Sequence, residues 1–191
     1  MVMPAVSRDR YWTVEEVYNL PPDSNRYEVV HGELLVTPSP VLRHQAVLMR
    51  LQTRVAIYLG TVGLSDTALP GGDYFYQSDV YVQPDFLVVL PEEMVGDYRA
   101  IHHLRLVAEV ISPSSARGDR VVKRKAFQEA GVETYWVVDH DAAVVEVWHP
   151  EDQKPEIATD EIRWRVTPDA PELRIDLDQL FAPLPGEKPA R

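Results

Sequence analysis

Two carboxylates stand out because each sits against residues that belong in a buried sheet. Asp85 directly precedes Phe86-Leu87-Val88-Val89, and Glu109 lies inside Leu106-Val107-Ala108-Glu109-Val110-Ile111. Burying an unpaired carboxylate is costly, so each needs a proton, a cation or a hydrogen-bonding partner. Two of them on neighbouring strands would supply the hard oxygen ligands that magnesium prefers, with waters and a substrate phosphate completing the octahedron. That chemistry suits phosphodiester hydrolysis. The plainer alternative is that Asp85 caps a turn and Glu109 pairs with an arginine.

Lys123 adds a third element. The spacing predicts a helix over 119–130, closed by Gly131. With Val122 at zero and about 100° per residue, Ala126, Ala130, Lys123 and Phe127 fall within an arc of about 140°. Lys123 is thus turned toward the sheet, where it could orient a water and stabilise charge growing on phosphorus. The ordinary alternative is a snorkelling lysine paired with Asp119, one turn earlier. Arg120 and Arg124 lie beyond the arc and should face solvent or a ligand. Arg117, Arg120, Lys123, Arg124 and Lys125 place five cations in nine residues, a candidate phosphate-contacting patch or a solvated helix face.

The elements that must carry these residues are legible in outline. Thr13-Val14-Glu15-Glu16 has capping-box spacing and predicts a short helix that ends before Pro21-Pro22. Runs 26–30 and 33–37 flank His31-Gly32, which predicts a hairpin. From 41 to 59 the positions Val47, Leu48, Leu51, Val55, Tyr58 and Leu59 recur at helical spacing. Short strands follow around 74–76 and 80–82, then buried strands at 86–90 and 104–111. Runs 135–138 and 144–148 form a further pair across Asp139-His140-Asp141. Beyond it apolar and polar residues alternate weakly. With no second domain or repeat in view, 1–182 reads as one domain and the proline-rich 183–191 as a disordered tail.

Composition narrows the classes. The chain of 191 residues is 45% hydrophobic and 26% charged, as expected for one globular core. It has no cysteine, which excludes disulfide scaffolds, thiolate metal sites and cysteine nucleophiles and makes a reducing cytoplasm the expected location. No apolar run suits a signal peptide or a membrane span, so no membrane partner is expected. With 19 basic and 30 acidic residues the net charge is −11, which repels polyanions at long range and leaves nucleic-acid binding to a local basic patch. Ser112-Pro113-Ser114-Ser115 lacks the glycine-flanked elbow of a serine nucleophile, and no glycine run matches a nucleotide-binding loop.

Several motifs occur together in order: Arg26-Tyr27-Glu28 with Gly32-Glu33, Pro38-Ser39-Pro40 with Arg43-His44-Gln45, and Gln83-Pro84-Asp85. Glu109-Val110-Ile111-Ser112-Pro113-Ser114 follows, then Asp119 through Lys123 to Gly131-Val132-Glu133-Thr134-Tyr135-Trp136-Val137-Val138-Asp139. Across roughly 26–148 this set resembles the Uma-two-type restriction endonucleases, a branch of the PD-(D/E)XK nuclease superfamily. The resemblance implies an α/β (α+β) restriction-endonuclease-like fold, a mixed sheet flanked by helices. It also implies a magnesium or manganese ion held by Asp85, Glu109 and the backbone carbonyl of Ile111. Where the superfamily pattern has a lysine two residues after the second acid, this chain has Ile111; in this branch the lysine looks relocated to the next helix, at Lys123. His44 would sit near the metal, to accept a proton or bind phosphate, or else be a surface histidine. Glu33 would be a supporting carboxylate, or else a strand-edge salt bridge. Arg117, Arg120, Arg124 and Lys125 would contact nucleic acid.

The expected activity is a metal-dependent endonuclease acting on nucleic acid, DNA first, as a homodimer and leaving 5′-phosphate ends. The competing class is a non-catalytic interaction module on the same fold, which the acidic charge mildly favours. The joint presence of Asp85, Glu109 and Lys123 favours the enzyme.

Overall fold

The computed structural model describes residues 10–94 and 96–187. A first helix, α1 (Val14–Tyr18), opens on the expected capping box: Glu16 N–H donates to Thr13 Oγ1 at 3.2 Å and Thr13 N–H to Glu16 Oε2 at 3.0 Å. Strands β1 (Asn25–Val30) and β2 (Glu33–Pro38) pair antiparallel across His31 and Gly32, whose φ values of 48° and 82° are those of a tight mirror-image turn. A Cβ at Gly32 would stand 2.2 Å from the Tyr11 ring, so glycine is required there twice over. The long helix α2 (Leu42–Thr61) then buries the predicted stripe from Val47 to Leu59.

Strands β3 (Ala68–Leu69), β4 (Tyr74–Tyr76), β5 (Val80–Val82), β6 (Phe86–Val88) and β7 (Leu106–Ile111) follow. The chain crosses over through a π-helical segment, Gly118–Lys123, that runs into α3 (Arg124–Glu129). Strands β8 (Tyr135–Asp139), β9 (Val144–Trp148) and β10 (Glu156–Ala158) complete a six-stranded sheet of order β10-β9-β8-β7-β6-β3. Within it only β7 and β8 run parallel, the geometry that a helical crossover permits. A second sheet of order β2-β1-β5-β4 is wholly antiparallel.

Alternation along β7 sends side chains to two cores. Leu106, Ala108 and Val110 pack with α2 on one face, while Val107 and Ile111 pack with α3 and the four-stranded sheet on the other. Glu109 shares the parity of Val107 and Ile111, so it projects toward the crossover. The mixed sheet with covering helices agrees with the expected fold class.

Two features differ from the sequence reading. The crossover begins at Gly118 as a π-helix, whose wider turn departs from an ideal helical wheel and recurs at functional sites. The weakly patterned region after residue 150 contains a hairpin, β11 (Glu161–Trp164) and β12 (Leu173–Asp176), and a last helix, α4 (Leu177–Leu180). Ile162, Trp164, Ile175 and Leu180 from these elements complete the core over α2. Four-residue strands with two buried positions each leave little periodic signal. In the expected tail, Leu184 N–H donates to Glu187 Oε2 at 2.9 Å and Glu187 pairs with Arg43, while residues 188–191 lie outside the described residues. The signal-peptide question at residues 1–9 also falls outside them. No helix among the described residues is long and apolar enough to cross a membrane.

Candidate functional site

β6 and β7 pair antiparallel, with Phe86 opposite Ala108, which sets Asp85 opposite Glu109 at the sheet edge. The two carboxylates are latched reciprocally. Asp85 N–H donates to Glu109 Oε2 at 3.2 Å, and Val110 N–H donates to Asp85 Oδ2 at 3.0 Å. Arg26 Nη1 reaches Asp85 Oδ1 at 2.9 Å, and His44 Nε2 lies 3.0 Å from Asp85 Oδ2. Burial would raise the Asp85 carboxyl, but the His44 hydrogen bond and the Arg26 and Lys123 charges hold it below the usual range.

Lys123 is 1% exposed and sits among three carboxylates, 2.8 Å from Glu109 Oε1, 2.9 Å from Asp119 Oδ1 and 3.0 Å from Glu28 Oε1. Burial disfavours its charge, yet Asp119, Glu109 and Glu28 outweigh that and raise its pKa well above the ordinary value. Glu109 shifts up as well, first because it is buried; Asp85 and Asp119 add to the shift and Lys123 opposes it. The Asp119 pairing anticipated from spacing is present, but as one of three contacts.

Glu28 and Asp119 were absent from the predicted site, as were Arg26 and His140. Glu28 is fully buried: its Oε1 accepts the Gln83 N–H at 2.7 Å, while Oε2 accepts no hydrogen bond and lies 3.9 Å from Arg26 Nε. Beyond their place in the Arg26-Tyr27-Glu28 motif, the local signal for Arg26 and Glu28 is their i,i+2 parity on β1. Nothing in sequence marks that face as turned toward Lys123.

The other expected residues are distributed around this cluster. His44 is buried, with Nδ1 unpartnered. Ile111 ends β7 in register with Asp139. Glu33 is exposed and accepts from Arg117 Nη1 at 2.6 Å, the strand-edge pair. Arg120, expected to face solvent or a ligand, instead donates to Glu146 Oε1 at 2.6 Å and Asp139 Oδ2 at 2.7 Å. Arg124 bonds the Arg120 carbonyl at 3.1 Å and lies 4.6 Å over the Trp148 ring. Lys125 is exposed.

Two clefts reach the cluster. One of about 800 Å³ is lined by Arg26, His44, Asp85, Ser112, Ser114 and His140. The other, about 570 Å³, is lined by Glu33, Ser115, Arg117, Asp119 and Lys123. Among the described residues, no three His, Asp or Glu side chains converge as a ready metal cage. Two adjacent carboxylates do fit a hard divalent ion that keeps several waters. Four carboxylates against Lys123 and Arg26 leave a negative excess when all are ionised, and the orphaned Glu28 oxygen agrees with that. Asp85 and Glu109 could therefore hold such an ion.

Among curated proteins, none matches this chain. A crystal structure of a "putative nuclease belonging to DUF820 from Anabaena variabilis ATCC 29413" aligns with a TM-score of 0.72 at 19% identity, covering 89% of this chain and 97% of that one. At that identity the likeness establishes the fold. A family profile, Uma2, described as "Putative restriction endonuclease", matches residues 14–178, nearly the whole described chain. With the fold and the motif order in agreement, the chain belongs to the Uma2 restriction-endonuclease family.

Proposed function

We propose that the protein is a metal-dependent endonuclease that hydrolyses phosphodiester bonds of DNA, with Asp85 and Glu109 as the ligands of a magnesium or manganese ion. The observation that carries this reading is the reciprocal latch between those carboxylates beside a buried lysine, with Asp85 lining one cleft and Lys123 the other. When bound, such an ion supplies Lewis acidity, activating water and neutralising charge on the phosphate.

The chain's own groups do the positioning. His44 and Arg26 hold Asp85 from its two oxygens, leaving one rotamer. Lys123 holds Glu109 Oε1 and keeps a cation next to the reacting phosphate, where a water-excluded site strengthens its effect. Ile111 contributes its backbone carbonyl as a further oxygen ligand. Glu33 acts from the rim by fixing Arg117, and with Lys125 this guanidinium contacts the strand. Cutting both strands of a duplex takes two such sites, so a homodimer is part of the reading.

The test is calorimetric titration of magnesium or manganese into wild type and into the double variant Asp85→Ala with Glu109→Ala, with plasmid cleavage measured on the same samples. Metal binding and cleavage in wild type, both lost in the variant, are expected. Identical titrations for the two proteins would overturn the ligand assignment and favour a non-catalytic module.

A further inference from the structure

One imidazole that this chemistry leaves idle lies at the same edge of the sheet. His140 follows β8 directly, and the last residue of β8, Asp139, pairs in register with Ile111 at the end of β7. Because β7 and β8 are parallel, both leave the sheet at the edge where Asp85 enters it. Ligands of open α/β sheets collect at that edge. His140 accordingly lines the larger cleft together with Arg26, His44 and Asp85.

The side chain of His140 is only 5% exposed, and neither ring nitrogen makes a hydrogen bond. Asp141 Oδ1 stands 3.1 Å from Nδ1 but out of line for one. The turn that carries the ring is stiff. Asp139 Oδ1 accepts the N–H groups of Asp141 at 3.0 Å and Ala142 at 2.9 Å, while Arg120 holds Oδ2 at 2.7 Å. A buried polar group without a partner costs on the order of 1–3 kcal/mol. On a braced turn facing a cleft, it is a donor kept for something that arrives from outside. The same cleft is lined by the Ser112 and Ser114 hydroxyls, 2.9 Å apart, and by the Arg26 guanidinium, which is held by Asp85, along with the Asp23 and Asp141 carboxylates. Hydroxyl, guanidinium and imidazole donors suit a phosphate oxygen, which only accepts, better than a base edge, which presents donors and acceptors together.

We propose that His140 is a substrate-contacting residue, its ring N–H donating to a phosphate oxygen of the strand next to the scissile phosphodiester. The proposal rests on the nuclease reading and adds a residue to it. The test compares wild type, His140→Ala and His140→Gln for anisotropy of a labelled DNA duplex without divalent metal, for cleavage kinetics with magnesium, and for melting temperature. Expected for His140→Ala are a Kd and KM raised about tenfold, the equivalent of one hydrogen bond, a kcat within about twofold of wild type, and an undiminished melting temperature. His140→Gln, which keeps an N–H donor, should recover part of the affinity. Unchanged Kd and KM in an actively cleaving protein, or a lower melting temperature with unchanged Kd, would overturn the His140 assignment and leave the nuclease reading standing. A wild type that neither binds nor cuts DNA would remove both.

Discussion

A lysine enclosed by three carboxylates exchanges one burial problem for another, and Lys123 shows how finely the exchange is set. Replacing it with methionine preserves the apolar stem but strands Glu28, Glu109 and Asp119 without their cation. Urea unfolding at pH 8 should show a loss of about 3–5 kcal/mol, as when one partner of a buried pair is removed. The loss should be smaller when the measurement is repeated at pH 5, because the Glu109 carboxyl, raised by burial, takes up a proton more readily as pH falls. A loss that does not change with pH would show that the pairs contribute little. Asp85 and Glu109 were legible because each is a carboxylate against or inside an apolar run, and Lys123 because helical spacing puts it within an apolar arc. Glu28 was not, because its burial is produced by strands and a crossover remote in sequence, and neither neighbour on β1 betrays it.

The elements themselves read well where periodicity or turn chemistry was strong: the capping box of α1, the stripe of α2 and the His31-Gly32 hairpin all occur as expected. They read poorly from β10 to α4, where only one or two residues per strand are buried and the runs are too short for a pattern to stand out. The hairpin turn also carries a joint between layers. His31 Nδ1 lies 2.9 Å from Asp79 Oδ2, and Nε2 lies 2.9 Å from Glu129 Oε2 on α3. Its pKa is raised above 6.5, mainly by the Asp79 hydrogen bond; desolvation opposes this and Glu129 reinforces it. A folded-state value above the unfolded one gives stability that is complete below pH 6.5 and fades as pH rises through the folded value. His31→Gln should therefore lower the melting temperature at pH 5.5 and leave it nearly unchanged at pH 8.5, with an effect below about 1 kcal/mol for so exposed a joint. An equal shift at both pH values would show that charge is not involved.

For the molecule as a whole, a net charge of −11 and the internal commitment of Arg120 and Arg124 limit how strongly it can hold a polyanion. If roughly three cations reach phosphates, log affinity for duplex DNA against log salt should have a slope near −3, and Lys125→Ala should flatten it by about 1. A slope steeper than about −5 would mean that the helix arginines leave their carboxylates on binding. Fluorescence anisotropy across a salt series measures both. The site draws on β1, α2, β6, β7, the crossover and the turn after β8, and the face of the sheet behind it, covered in part by α2, is completed by β11, β12 and α4. During translation, then, a chain still tethered to the ribosome carries Asp85 and Glu109 on strands whose apolar faces are not yet fully covered. The hairpin and α4 that complete this cover follow the site residues by some tens of positions, so the site's sheet stays partly bare until they too have left the ribosome.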